Sequence, residues 1–112
     1  MPLINVRTSL EEISNSDGLL KQLSAEMANL TGKPEKYVMT LLQTNLPMTF
    51  SGSNEPSCYI EIKSIGSLKP ELMSQSFCKI ISSMTKIPSN RIYIGFEDVQ
   101  ANKWGFNGST FA

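Results

Sequence analysis

The sequence predicts an α+β fold in which a duplicated β-α-β unit gives one four-stranded sheet with both helices on one face. Three observations predict it. Two apolar stripes recur at helical spacing, and each lies between runs that read as strands. Thr31 and Pro34 punctuate the end of the first stripe as Thr85 and Pro88 punctuate the second. The two units superimpose without a gap at an offset of 54 residues.

Leu3 to Thr8 alternates well enough for a strand. Ser14-Asn15-Ser16-Asp17-Gly18 supplies cap residues for a helix running to about Leu30. Leu19, Leu20, Leu23, Met27 and Leu30 share its buried face. Thr31-Gly32 ends the helix, since glycine takes the left-handed conformation at little cost, and Pro34 confirms the stop. Val38 to Leu46 reads as a strand closed by Pro47, and Met48 to Pro56 has the Ser, Gly, Asn and Pro content of a loop. Ser57 to Lys63 is the third strand. Pro70 suits the start of a second helix, with Leu72, Met73, Phe77, Ile80, Ile81 and Met84 as its buried stripe. Pro88-Ser89-Asn90 then turns the chain into the strand Arg91 to Phe96.

In the superposition Ile4, Val6 and Val38 fall on Cys58, Ile60 and Ile92, and Leu19, Leu23, Met27 and Leu30 fall on Met73, Phe77, Ile81 and Met84. Only Leu41 on Gly95 breaks the apolar pairing. The expected organisation is one domain over residues 1–112, with repeats at about 2–47 and 56–98 and a tail at 99–112. The second sheet face carries Met39, Leu41, Tyr59 and Tyr93, which reads as a patch too apolar to leave in water, so self-association is expected there. The tail from Lys103 to Ala112 is aromatic and Gly-rich and suits a short strand or rim on the edge of a neighbour.

Composition narrows the chemistry. Ten Lys plus Arg balance ten Asp plus Glu, so nothing steers the chain toward nucleic acid or an anionic membrane. Histidine is absent, which removes the commonest general base near neutral pH, the Ser-His pairing and most zinc sites. Cys58 and Cys78 are far from any C-x-x-C spacing and read as reduced and packed. The start of the chain lacks a basic region followed by a long apolar one, and no apolar run could span a membrane, so a cytoplasmic protein is expected.

Met1-Pro2 supplies a candidate base. A small residue at position 2 permits removal of the initiator methionine and leaves a free prolyl nitrogen. An α-amino group titrates near 7.7–8.0, and apolar surroundings lower that value. Taken alone, however, a proline at position 2 is usually just a residue that permits trimming. Lys33 has two readings: a cation answering the negative helix end, or an anchor for a substrate carboxylate. In Ser64-Ile65-Gly66 the glycine lets the backbone turn and could aim the Ile65 amide into a cleft. Tyr93 offers a phenol or ordinary packing. Trp104, Phe106 and Phe111 either line a hydrophobic slot or cap the core.

The order and spacing of these parts resemble the macrophage migration inhibitory factor family of the tautomerase superfamily. The stretches that carry the resemblance are Met1-Pro2 with its strand, Thr31-Gly32-Lys33-Pro34 with Tyr37, Phe50-Ser51-Gly52-Ser53 through Glu55-Pro56, Ser64-Ile65-Gly66, Arg91-Ile92-Tyr93-Ile94, and Asn107 through Ala112. The resemblance implies a homotrimer with active sites between subunits. It implies Pro2 as catalytic base, Lys33 and the Ile65 backbone as holders of a carboxylate, and Tyr93 reaching in from the adjacent subunit. Tyr37, Gly95, Trp104, Phe106 and Phe111 would line the pocket. The implied reaction is keto–enol tautomerisation of phenylpyruvate-type aryl pyruvates and dopachrome-like compounds, with no metal or organic cofactor.

Departures from the family pattern bound what carries over. Gly95 stands where vertebrate members have an asparagine, and Trp104 and Phe106 redistribute bulk at the pocket mouth, so substrate preference does not transfer. The family's C-x-x-C pair falls on Ser57 and Ile60, which removes the thiol-oxidoreductase chemistry. Some members act outside the cell as cytokines, which admits release without a signal peptide and receptor binding. Glu12 and Asn45, where vertebrate cytokines have arginine and aspartate, weaken that analogy. The alternatives to an enzyme are a cytokine-like interaction protein of the same fold with vestigial catalysis, and an RNA-binding module. The second lacks any basic surplus or aromatic pair on the central strands.

Overall fold

The computed structural model describes residues 1–112. Strand β1 (Leu3–Thr8), helix α1 (Ser16–Thr31) and strand β2 (Met39–Gln43) form one unit, and β3 (Cys58–Ser64), α2 (Pro70–Thr85) and β4 (Ile92–Asp98) form another built alike. The order across the sheet is β2-β1-β3-β4. Each unit pairs its own strands in parallel, and the units meet through antiparallel β1 and β3. The tail folds back on itself as a small hairpin, β5 (Gly105–Phe106) with β6 (Ser109–Thr110). The short strand expected in the tail is thus present, paired within this hairpin.

The helices close the core against one sheet face. Leu19, Leu23 and Met27 from α1 and Met73, Phe77 and Ile81 from α2 pack on Ile4, Val6, Cys58, Ile60 and Ile62. Both helices end by the same device. Thr31 Oγ1 donates to Met27 O at 2.7 Å and accepts from Lys33 N at 3.2 Å, as Thr85 Oγ1 donates to Ile81 O and accepts from Ile87 N at the same distances. The next residue in each case is left-handed, Gly32 at φ 70° and Lys86 at φ 65°. Glycine takes that conformation freely; lysine does so at a cost.

Several boundaries differ from expectation. Strand β2 stops at Gln43, three residues short of Leu46, because Asn45 turns to φ 60° and the Asn45 and Leu46 amides donate to Leu10 and Thr8 instead of a ladder. Strand β4 starts after Arg91, which ends a 3-10 turn, and continues to Asp98. Leu72 leaves the buried stripe of α2 and is exposed. Cys58 is buried, whereas Cys78 is only partly so.

The uncovered sheet face is more polar than its apolar members suggest. Its side chains form three rows across the strands: Met39, Leu3, Lys63 and Glu97; Leu41, Asn5, Glu61 and Gly95; Gln43, Arg7, Tyr59 and Tyr93. Met39 and Tyr93 are exposed at 63% and 65%. Between them Arg7 Nε donates to Gln43 Oε1 at 3.0 Å, and the Tyr59 hydroxyl donates to Glu61 Oε2 at 3.2 Å. The buried Asn5 Oδ1 has no partner within the chain.

Candidate active site

Residue 2 is fixed before the sheet begins. Pro2 is buried at the head of β1, and its carbonyl accepts from Met39 N at 3.0 Å, so the parallel neighbour β2 anchors it. Beside it opens a cleft of about 580 Å³, with the row Met39, Leu3, Lys63 and Glu97 along it and Tyr37, Trp104, Phe106 and Phe111 as its aromatic wall. That wall is interlocked. Tyr37 meets Phe106 edge-on at 5.7 Å and Phe111 at 6.2 Å between centroids, and Phe106 stacks on Phe111 at 5.6 Å. Such pairs add about 0.5–1.5 kcal/mol each beyond area burial. The Phe111 amide donates to Trp104 O at 3.2 Å, tying the end of the chain to the hairpin.

The local fold of the α1 terminus carries Lys33 to the same corner. Its ammonium donates to the Ile65 carbonyl and lies beside the Met1 amino group. The Ser64-Ile65-Gly66 corner is braced from below: Ser64 Oγ donates to Gly66 O at 2.8 Å, and Gly66 N donates to Asp98 Oδ1 at 3.0 Å. The Ile65 amide takes part in none of these bracing bonds. The Met1 amine is pushed down from 8.0 to about 6, first by burial and then by the Lys33 ammonium alongside it. In this form the Pro2 nitrogen is an amide and has no basicity.

Tyr93 and Gly95 stand elsewhere in the chain. Tyr93 is in the row of Arg7, about 13 Å along the strands from that of Leu3 and two strands across from β1. Its ring meets Phe50 edge-on at 4.8 Å. Arg91 holds the loop behind that pair by donating to the carbonyls of Pro56, Phe50, Ser53 and Glu55 at 2.9, 3.1, 3.3 and 2.9 Å. At Gly95 an added Cβ would lie 3.1 Å from the Tyr59 hydroxyl, so a larger residue there would have to displace that phenol.

One chain thus gathers Pro2, Tyr37, Trp104, Phe106 and Phe111 around a cleft, joins Lys33 to Ile65 beside it, and leaves Tyr93 and Gly95 away from it. Lys36, Lys63, Glu97 and Lys103 also line the cleft and were not among the residues singled out from sequence. Lys63 and Glu97 reach it only through strand register, in line with Leu3. Their place at the ends of β3 and β4 was the one available signal. No group of three or more His, Cys, Asp or Glu side chains is disposed to hold a metal, and no helix is long and apolar enough to cross a membrane.

Comparison with known proteins covers the whole chain. The family profile described as macrophage migration inhibitory factor (MIF) matches residues 1–112. A macrophage migration inhibitory factor homolog of Brugia malayi is 37% identical, over 99% of each chain. The macrophage migration inhibitory factor of Mus musculus is 35% identical over 100% of each. Among solved structures, a homologue from Prochlorococcus marinus is 52% identical with a TM-score of 0.95, covering 98% of this chain and 99% of that one. The Trichinella spiralis protein is 27% identical with a TM-score of 0.90, over 96% and 98% of the two chains.

Proposed function

The chain belongs to the macrophage migration inhibitory factor family, and from that premise we propose that it is a tautomerase interconverting keto and enol forms of aryl pyruvates and dopachrome-like compounds. The observation that carries this reading is the amino terminus itself, partly desolvated beside Lys33 at an aromatic-walled cleft. With Met1 removed, the ring nitrogen of Pro2 becomes the terminal amine. Its rigid ring and the bond from Met39 N to its carbonyl hold the lone pair in one direction. Burial and the Lys33 charge favour the neutral form, which is the form that accepts a proton.

Lys33 and the Ile65 amide bind the substrate carboxylate, with the Lys33 ammonium exchanging its bond to the Ile65 carbonyl for one to the ligand. The aryl ring lies on the aromatic wall. The prolyl nitrogen takes a proton from the carbon beside the ketone, the electron pair of that C–H bond moves into the enolate, and the enolate oxygen is then protonated. The reverse order returns the ketone.

A trimer completes the site in this reading. The unpartnered Asn5 Oδ1, the uncovered sheet face and the exposed Tyr93 support a neighbouring copy on that face. The partner's Tyr93 would then contribute its hydroxyl to the cleft. The test is enol–keto exchange of phenylpyruvate followed by the loss of enol absorbance. Pro2→Gly leaves a terminal amine, but a mobile primary one, so turnover should fall; N-acetylation of Pro2 removes the positioned base itself and should cost on the order of 100-fold or more. Undiminished turnover by a folded protein whose Pro2 nitrogen is acetylated, as confirmed by intact mass, would overturn the reading.

A further inference from the structure

The charges of the chain balance, but those of the cleft do not. Lys36, Lys63 and Lys103 line it against Glu97 alone. Lys63 is shared between Glu61 at 3.8 Å and Glu97 at 3.9 Å. The only other ion pair in the chain joins Lys21 to Asp17 on the helix surface, so Lys36 and Lys103 carry charges that no carboxylate answers. Both stand at the aromatic wall. Lys36 Nζ lies 5.1 Å from the centroid of Tyr37, the ring against which Phe106 and Phe111 abut. Lys103 ends the 3-10 turn Ala101–Lys103 that leads directly into Trp104. Lys33, by contrast, lies beside the amine and already donates to Ile65.

We propose that Lys36 and Lys103 form a second anion-holding point on the aromatic wall, so that the cleft selects aryl 2-oxo acids carrying a further carboxylate on the ring over simple aryl pyruvates. This rests on the tautomerase reading for the 2-oxo acid end, and the cations themselves supply the rest. Lys36 and Lys103 line the same cleft as Tyr37, Phe106 and Phe111, so a ring seated on that wall would share the cleft with these two ammonium groups. Two like charges in one concave site raise the local potential and draw a dianion more strongly than a monoanion. A fully hydrated substituent keeps most of its water there, so the gain is that of exposed ion pairs.

Equilibrium binding to inert ligands tests this without relying on turnover. Cinnamate and 4-carboxycinnamate share the acid and the ring and differ in the ring carboxylate. Titration calorimetry of the full chain with Met1 removed, at low salt, should give an affinity about fivefold higher for the diacid, the scale of exposed ion pairs. That advantage should vanish in the Lys36→Gln/Lys103→Gln double variant, persist in Lys36→Arg/Lys103→Arg, and shrink as salt is raised. Equal or weaker binding of the diacid, binding of neither ligand, or an advantage that survives the glutamine substitutions would each overturn the inference. Phenylpyruvate exchange measured on the same preparations separates the two readings: loss of the diacid advantage with Pro2-dependent exchange intact removes only the second anion point. Exchange that persists undiminished when the Pro2 nitrogen is acetylated removes only the base.

Discussion

Lys33 is bonded to the Ile65 carbonyl and at the same time repels the amino terminus, and both effects can be measured. In the form that retains Met1, the α-amine should titrate at about 6, as read from the pH dependence of its reductive methylation, and Lys33→Met should move it up toward 8.0. Folding depresses this group, so the unfolded chain binds more protons between those values. Its contribution to stability is therefore present above 8.0 and is lost as pH falls through about 6. In the trimmed protein, kcat/KM should rise with pH as the prolyl amine loses its proton, and Lys33→Met should shift that rise to higher pH while increasing KM. A second prediction concerns the thiols. Burial, and then Cys78 nearby, push Cys58 up to about 12, so at pH 8 iodoacetamide should label Cys78 and spare Cys58, as peptide mass mapping would show. At this scale, Met1-Pro2 and Lys33 stood out by their place in the family's order and spacing, since alone they read as a trimming site and a cation at a helix end. Lys63 and Glu97 were not, because only pairing across strands brings them beside Leu3.

The two helices were legible nearly to the residue, because each carries a full stripe and a Thr-based stop. Their repetition in the sequence made each a check on the other. The C-caps offer a comparison internal to the protein. Lys86 holds the left-handed position that Gly32 holds in the first unit, so Lys86→Gly should stabilise the fold by roughly 0.5–1 kcal/mol in urea titration, the strain relieved exceeding the flexibility added. Phe77, fully buried in α2, should by contrast cost about 3–5 kcal/mol on replacement by alanine. The sequence was less informative about strand ends. Leu46 and the closing Pro47 suggest a strand running past Gln43, yet the Asn45 and Leu46 amides donate to Leu10 and Thr8 and draw the chain off the ladder, a tertiary effect that no local pattern carries. The hairpin of the tail escaped for a related reason: its strands are two residues each, below the length at which alternation can be read.

At the scale of the molecule, the layered arrangement of helices on one face followed from the repeat, and the bare second face followed with it. Its charge content did not. Arg7, Glu61, Lys63 and Glu97 interleave with the apolar residues on which the expectation of a greasy patch was built. In the proposed trimer a working site draws Pro2 from one chain and Tyr93 from another. Inactive protein acetylated at the Pro2 nitrogen mixed with poorly active Tyr93→Ala protein, unfolded and refolded together, should therefore regain turnover, since some mixed sites bear neither lesion. Mixing that returns only the average of the two parents would count against shared sites.

The likeness of the two units also has a limit that bears on the proposed base, which only one of them can supply. At the repeat offset, the residue that answers to Pro2 is Pro56, the one that answers to Tyr37 is Arg91, and the one that answers to Met39 is Tyr93. Pro56 is interior to the chain, so its nitrogen is locked in a peptide bond whatever happens to Met1. Its carbonyl is gripped by Arg91. A duplicated fold can copy a strand, a helix and a cap, but a polypeptide has a single beginning. In the second unit Arg91 instead braces the loop under Phe50 and Tyr93. Under the proposed reading, one half would supply the base and the other the brace.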